Sequence, residues 1–234
     1  MFIAGFPVGS LAANCYLVAP AAGAGCVIID PGEDALAQIV ATAAEHRLVP
    51  QAALLTHGHL DHAGSLQLVA RHFGIPGYLH SADEYMLDDP LAALSAPFRA
   101  MLAGRTMPAM RPDELRRLVP GNVVACADLS FSVDHTPGHT GGSVIMRLAG
   151  DGPRPDVLFT GDTLFAGSVG RTDLPGGSAA ELNESLRRSV LSQSDDAVVL
   201  PGHGPQTTIG AERRANPFLV PLISADPGAY LSGS

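Results

Sequence analysis

The chain has 234 residues, 46% of them hydrophobic, enough for a substantial core, and a single domain over 1–234 is the expectation. A net charge of −9 argues against non-specific partnership with nucleic acid or with an anionic membrane surface. All 14 basic residues are Arg, so Schiff-base chemistry and a lysine general base are excluded. Cys15, Cys26 and Cys126 are odd in number and lack CxxC spacing, which excludes a disulfide framework and a thiolate zinc site and fits a reducing cytoplasm. Neither a cleavable leader nor an uninterrupted apolar span is legible, so a soluble, unexported protein is expected.

Met1 to Phe6, Cys15 to Ala19 and Cys26 to Ile29 read as short strands of an opening meander, ended by Asp30-Pro31-Gly32. Ala35 to His46 has the apolar spacing of a helix, and Ala52 to Leu55 reads as a buried strand. Ala63 to Phe73 is again helical in period, with Leu66, Val69, Ala70 and Phe73 on one face. Gly77 to Leu79 is a short strand, and Ser81 to Glu84 opens a helix with acid in its first turn. From Met86 to Pro112 the pattern blurs, with Met at 86, 101, 107 and 110 among four prolines. Two readings stand there: an irregular connection over the core, or a pliable apolar rim at the mouth of a site. Strands follow at Val123 to Ala125, Leu129 to Val133, Ser143 to Arg147, Val157 to Phe159 and Ala197 to Leu200, with helices at Ala179 to Leu191 and Ala211 to Pro217. The second half thus repeats the coarse order of the first, suggesting α/β (α+β) architecture with two β-rich halves and helices outside.

Between the strand at Ala52 and the helix after it lies Thr56-His57-Gly58-His59-Leu60-Asp61-His62. Extended backbone at i and i+2 lets His57 and His59 reach one point, while Asp61 and His62 can serve a second. Four such groups packed this closely would repel one another or stay unsatisfied unless something bound them. Three more donors follow beside glycines at strand ends: His139 in Pro137-Gly138-His139, Asp162 in Gly161-Asp162-Thr163 and His203 in Pro201-Gly202-His203. Five His and two Asp suffice for two divalent metal ions; such donors suit Zn2+ and also accept Fe2+ or Mn2+.

This order of donors resembles the metallo-β-lactamase superfamily of metallohydrolases. The runs Gly161 to Phe165 and Gly170 to Gly177 most resemble its glyoxalase II-like hydrolases. The resemblance implies a four-layer αββα sandwich. It implies a first metal site of His57, His59 and His139, a second of Asp61, His62 and His203, and Asp162 as the bridge, with Asp61 and Asp162 as the catalytic carboxylates. The implied reaction is hydrolysis of a small-molecule thioester by metal-bound hydroxide, the thiol leaving group needing little protonation because its pKa is about 8.5. Full-length glyoxalase II enzymes add a helical C-terminal domain that contacts glutathione; here 31 residues follow His203, which leaves the thiol carrier open. The rival within this fold is a persulfide dioxygenase with one Fe2+ on His57, His139 and Asp162.

Other residues carry paired readings. Asp30 either orients a ligand His or forms a turn with Pro31-Gly32. Arg171 and Asp173 either line the pocket or pair with each other, the latter preferred. Tyr16 and Asn14 are candidates to face the site; His135 is read as core or surface, and His46, His72 and His80 as surface or packing residues.

Overall fold

The computed structural model describes residues 1–102, 104 and 107–225. In the first sheet, β1 (Phe2–Val8), β2 (Ala13–Ala19), β3 (Gly25–Ile29), β4 (Val49–Leu54), β5 (Gly77–His80) and β6 (Leu115–Leu118) lie side by side in chain order. The first three run antiparallel, as a meander must, and β3 to β6 are parallel, each step needing a crossover. Those crossovers are α1 (Leu36–His46), then α2 (Leu60–Ala63) with α3 (Leu66–Phe73), then α4 (Glu84–Asp88) with α5 (Ala96–Leu102).

The second sheet holds β7 (Val123–Cys126), β8 (Leu129–His135), β9 (Val144–Leu148), β10 (Val157–Gly161), β11 (Val198–Pro201) and β12 (Thr207–Thr208), in the order β12-β11-β10-β9-β8-β7. Only β10 and β11 are parallel, and α6 (Ala179–Ser185), which runs into a π turn at Leu186–Val190, makes that crossover. After β12 come α7 (Ile209–Ala215) and α8 (Leu219–Ala225).

Successive side chains of the buried strands point to opposite faces and so divide the core into three slabs. On β2, Cys15, Leu17 and Ala19 face α1 and α3, joined by Cys26 and Ile28 of β3. Their neighbours Tyr16, Val18, Val27 and Ile29 face the other sheet, meeting Phe131, Met146 and Phe159. On the far side Ile145, Leu158 and Val199 pack under Leu182, Leu186 and Ile209. The result is the expected helix–sheet–sheet–helix sandwich, its two sheets sharing the middle slab.

One strand was not expected, one helix starts later than expected, and one pair of alternatives is decided. The segment Leu115–Leu118 was not legible as a strand: it is the sheet's edge, and its central arginines point to solvent, Arg116 against Glu114 and Tyr78, Arg117 against Glu84. The helix expected from Ala63 starts at Leu66, because Ser65 ties the chain to the Asp30–Gly32 turn: its N–H donates to Pro31 O (3.0 Å) and its hydroxyl accepts from the Ala35 N–H (3.1 Å). Of the methionines between 86 and 112, Met86 and Met110 are wholly buried and belong to the core, not to a rim; Met101 is exposed on α5. Among the described residues, no helix is long and apolar enough to cross a membrane.

Candidate metal centre

Four segments, each following a strand end, bring the seven expected donors together. After β4 the chain bends at Thr56 and His57, runs extended at His59, and one turn of helix, α2, then lifts Asp61 and His62. His139 comes from the β8–β9 loop, Asp162 directly after β10, and His203 directly after β11. Their donor atoms form three overlapping groups, each within 4.8 Å: His57–His59–His139, His57–His62–Asp162 and Asp61–His62–His203.

The distances suit a cation. His59 Nδ1 stands 2.9 Å from His139 Nε2, and His62 Nε2 stands 3.2 Å from His203 Nε2. His203 Nε2 is 3.2 Å from Asp61 Oδ2. Two nitrogens each ~2.1 Å from one tetrahedral ion lie about 3.4 Å apart, a few tenths of an ångström longer than these separations. Asp162 reaches both sides: Oδ1 is 3.3 Å from His62 Nε2, and Oδ2 is 3.5 Å from His139 Nε2 and 3.7 Å from His203 Nε2. His57 Nε2 and Asp162 Oδ1, both turned into the cluster, are buried with no hydrogen-bond partner, a costly arrangement for groups that nothing binds. These donors therefore fit a divalent ion.

Hydrogen bonds behind the rings fix which nitrogen faces inward. The Thr56 hydroxyl donates its one proton to Asp30 Oδ2 (2.6 Å), so toward His57 Nδ1 (3.1 Å) it can only accept. His57 therefore carries its proton on Nδ1. The same logic applies to His62, whose Nδ1 donates to Asp30 Oδ2 (3.0 Å), and to His139, whose Nδ1 donates to the Arg171 carbonyl (2.8 Å). In all three Nε2 is the nitrogen turned toward an ion. Asp30 also accepts the Thr56 N–H (2.7 Å) and is buried in the left-handed region at φ 49°; it orients a donor rather than merely shaping a turn.

The charge states divide the cluster. Burial and the neighbouring histidines push His57 well below its ordinary value, and burial takes His59 down to about 3. Burial would also lower His62, but the charges of Asp162 and Asp61 overcome it and hold this ring well above 6.5. A hydrogen bond to Asp61 raises His203. Burial alone would raise Asp61 and Asp162; the facing histidines, His62 foremost, bring both below the ordinary carboxylate value.

The remaining candidates brace the site. Tyr16 and Asn14 hold the His203 loop from β2: the Tyr16 hydroxyl donates to Pro201 O (2.7 Å), and Asn14 Nδ2 donates to Pro201 O (3.0 Å) and Gly204 O (2.9 Å). At Gly202 a side chain has no room, because a Cβ would strike Asp162 Oδ1 and stand 2.7 Å from His62 Cε1. Arg171 and Asp173 form an exposed bidentate pair at 2.7 Å, as preferred, so the structural contribution of Arg171 is its carbonyl on His139. His135 Nε2 donates to Gly141 O (2.8 Å) while its ring stacks on His80 at 4.3 Å. His46 packs on Phe2 and His72 on Phe73. Sequence reasoning missed Thr56, the Arg171 carbonyl and Asp83. A backbone carbonyl leaves no sequence signal, and Asp83 sits where an acid reads as an ordinary helix start.

Fold and donors together define a protein of divalent-metal chemistry on an αββα sandwich. Residues 8–203 match the family model described as the metallo-beta-lactamase superfamily, and the chain belongs to that family. An uncharacterized protein of Mycobacterium tuberculosis is 47% identical over 221 residues, covering 94% of this chain and 98% of its own length. The hydroxyacylglutathione hydrolase GloC of Haemophilus influenzae is 35% identical over 215 residues, 91% of this chain and 95% of that protein. Among solved structures, the BLEG-1 B3 metallo-beta-lactamase superposes with TM-score 0.81 at 38% identity, covering 93% of this chain and 99% of that one. TTHA1623 in a di-iron-bound form gives TM-score 0.75 at 38% identity, covering 92% and 100%.

Proposed function

We propose that this metallohydrolase-family chain hydrolyses thioesters, of the kind that join a hydroxyacyl group to glutathione or a related thiol. The observation that carries the metal centre is the inward Nε2 of His57, His62 and His139, set around an Asp162 whose two oxygens face both donor groups. In this reading His57, His59 and His139 hold one ion, Asp61, His62 and His203 hold the other, and Asp162 bridges them. Imidazole and carboxylate donors suit Zn2+ and also accept Fe2+ or Mn2+. When bound, two such ions would lower the pKa of a shared water from about 15.7 to about 7 and polarise the substrate carbonyl.

The chain's own residues prepare that chemistry. Thr56, Asp30 and the Arg171 carbonyl keep three imidazoles in the tautomer that offers Nε2. Asp61 is held ionised, which suits a ligand and makes it a poor proton acceptor. A thiolate leaving group, of pKa about 8.5, needs no dedicated acid, whereas an amide nitrogen does. The likeness to GloC supports the thioester class. A second reading, lactam hydrolysis, is favoured by one observation, the 38% identity to the B3 metallo-beta-lactamase.

The test is turnover by protein purified without added metal, against S-lactoylglutathione, a small thioester panel and a chromogenic cephalosporin. Thioester hydrolysis that is lost on chelation and restored by Zn2+ is expected. Thioesterase activity surviving in metal-free protein, faster lactam turnover, or thiol-dependent oxygen uptake with one iron per chain would overturn the proposal.

A further inference from the structure

The carboxylate of Asp83 lies outside the seven donors yet is wholly buried between two of the segments that carry them. It follows β5, in a single 3-10 turn, Ser81–Asp83. Its Oδ2 accepts the Gly58 N–H (3.0 Å), the amide between His57 and His59, and also the Thr140 hydroxyl (2.7 Å), next to His139. Its Oδ1 accepts the Gly142 N–H (2.7 Å). The Thr140 hydroxyl, having donated to Asp83, accepts from Ser143 Oγ (2.7 Å), and Ser143 Oγ in turn accepts the Thr140 N–H (3.2 Å). At Gly142 a Cβ would stand 2.5 Å from the Asp83 Cγ, so the loop comes this close only with glycine there.

All three donors to this carboxylate belong to the segments supplying His57, His59 and His139, with Gly58 set between the two histidines of the first group and ahead of Asp61 and His62 on the same segment. None belongs to the segments of Asp162 or His203. An ionised carboxylate accepting three bonds at a buried point is a strong, directional tie, stronger than neutral contacts of the same length. It spans β5, the β4–α2 loop and the β8–β9 loop, three places with no other side chain in common among the described hydrogen bonds.

We propose that Asp83 is the positioning residue for the first metal group, setting the separation of the His57–His59 segment from the His139 loop without touching the ion. This rests on the reading that His57, His59 and His139 hold an ion. Asp83→Asn keeps the shape but turns one acceptor into a donor facing a backbone N–H, that of Gly58 or of Gly142. Thr140→Val removes one bond while leaving the carboxylate, and Thr140→Ser restores the hydroxyl.

The test is titration of Co2+ alone into metal-free protein, read by visible absorption, in the wild type and in a His203→Ala background that retains only the first group. Asp83→Asn and Thr140→Val should weaken the first Co2+ by about 10- to 100-fold and shift its absorption band, with the second affinity unchanged and Thr140→Ser near wild type. Wild-type affinity and spectrum in both variants would overturn the proposal. Equal weakening of both ions, with a lower melting temperature of the metal-free protein, would overturn it too, in favour of a general scaffold role. A wild type that binds no Co2+ would instead sink the metal reading itself, so the two failures are distinguishable.

Discussion

The two donor groups of the centre differ in chemistry although they share Asp162. His57, His59 and His139 form a group of imidazoles only, deep in the protein, with His57 at 0% exposure and His59 at 8%. Asp61, His62 and His203 mix a carboxylate with two imidazoles and reach the surface, the His203 side chain being 27% exposed. Burial has already driven His57 and His59 neutral, whereas the carboxylates around His62 and His203 hold those rings toward the protonated form. The first group is thus ready for a cation at neutral pH. The second must shed protons to take one.

The largest effects come from removing what the groups share or what anchors each. Asp162→Ala and His59→Ala should each strip bound metal, measured by elemental analysis, with hydrolysis falling to the metal-free level. Asp30→Ala strikes the second group through His62 and the first through Thr56. The loss should be about 10- to 100-fold in metal affinity, together with about 3–5 kcal/mol of stability from unpairing a buried partner, read by chemical denaturation.

Proton linkage sharpens the contrast next. Calorimetric titration at pH 7 in buffers of different ionisation enthalpy should show almost no proton release from His57 and His59 with the first ion, and about one to two protons with the second. The second affinity should rise with pH through the elevated range of His62 and His203. Without metal, the signs oppose each other. Lowered His57 and His59 cost stability as pH falls below 6.5, where the unfolded chain binds their protons. Raised His62 and His203 stabilise below 6.5, and that contribution is lost as pH rises through their folded values. Melting of the metal-free protein should therefore peak near neutral pH.

Smaller effects follow from the braces. Tyr16→Phe removes one buried hydrogen bond on the His203 loop, about 1 kcal/mol and about 2–4 °C in melting temperature, and should weaken only the second ion. Arg171→Ala should leave metal content unchanged, because His139 is held by the residue's carbonyl and the guanidinium, among the described residues, pairs with exposed Asp173 alone.

Much of this contrast is legible in the primary structure. Five of the seven donors, His57, His59, His139, Asp162 and His203, stand beside a glycine, with Asp61 and His62 close behind in the first motif, and the seven come together as expected. The strands β2 and β3 are also legible, because burial on both faces makes each a near-continuous apolar run. What stays hidden depends on partners distant in sequence. Leu115–Leu118 looks polar because an edge strand shows its arginines to water. Asp83 looks like a cap because nothing local reveals that Gly58 and Gly142, 25 and 59 residues away, converge on it. Whether Asp30 serves a turn or a histidine is decided by His62, 32 residues on.

Counting the metal ions per chain in the wild type and in His203→Ala tests the account most directly. Two divalent ions in the wild type and one in the variant are predicted, the survivor held by His57, His59 and His139. A single ion in the wild type, unchanged in His203→Ala, would contradict the two-group centre and point to one iron on His57, His139 and Asp162.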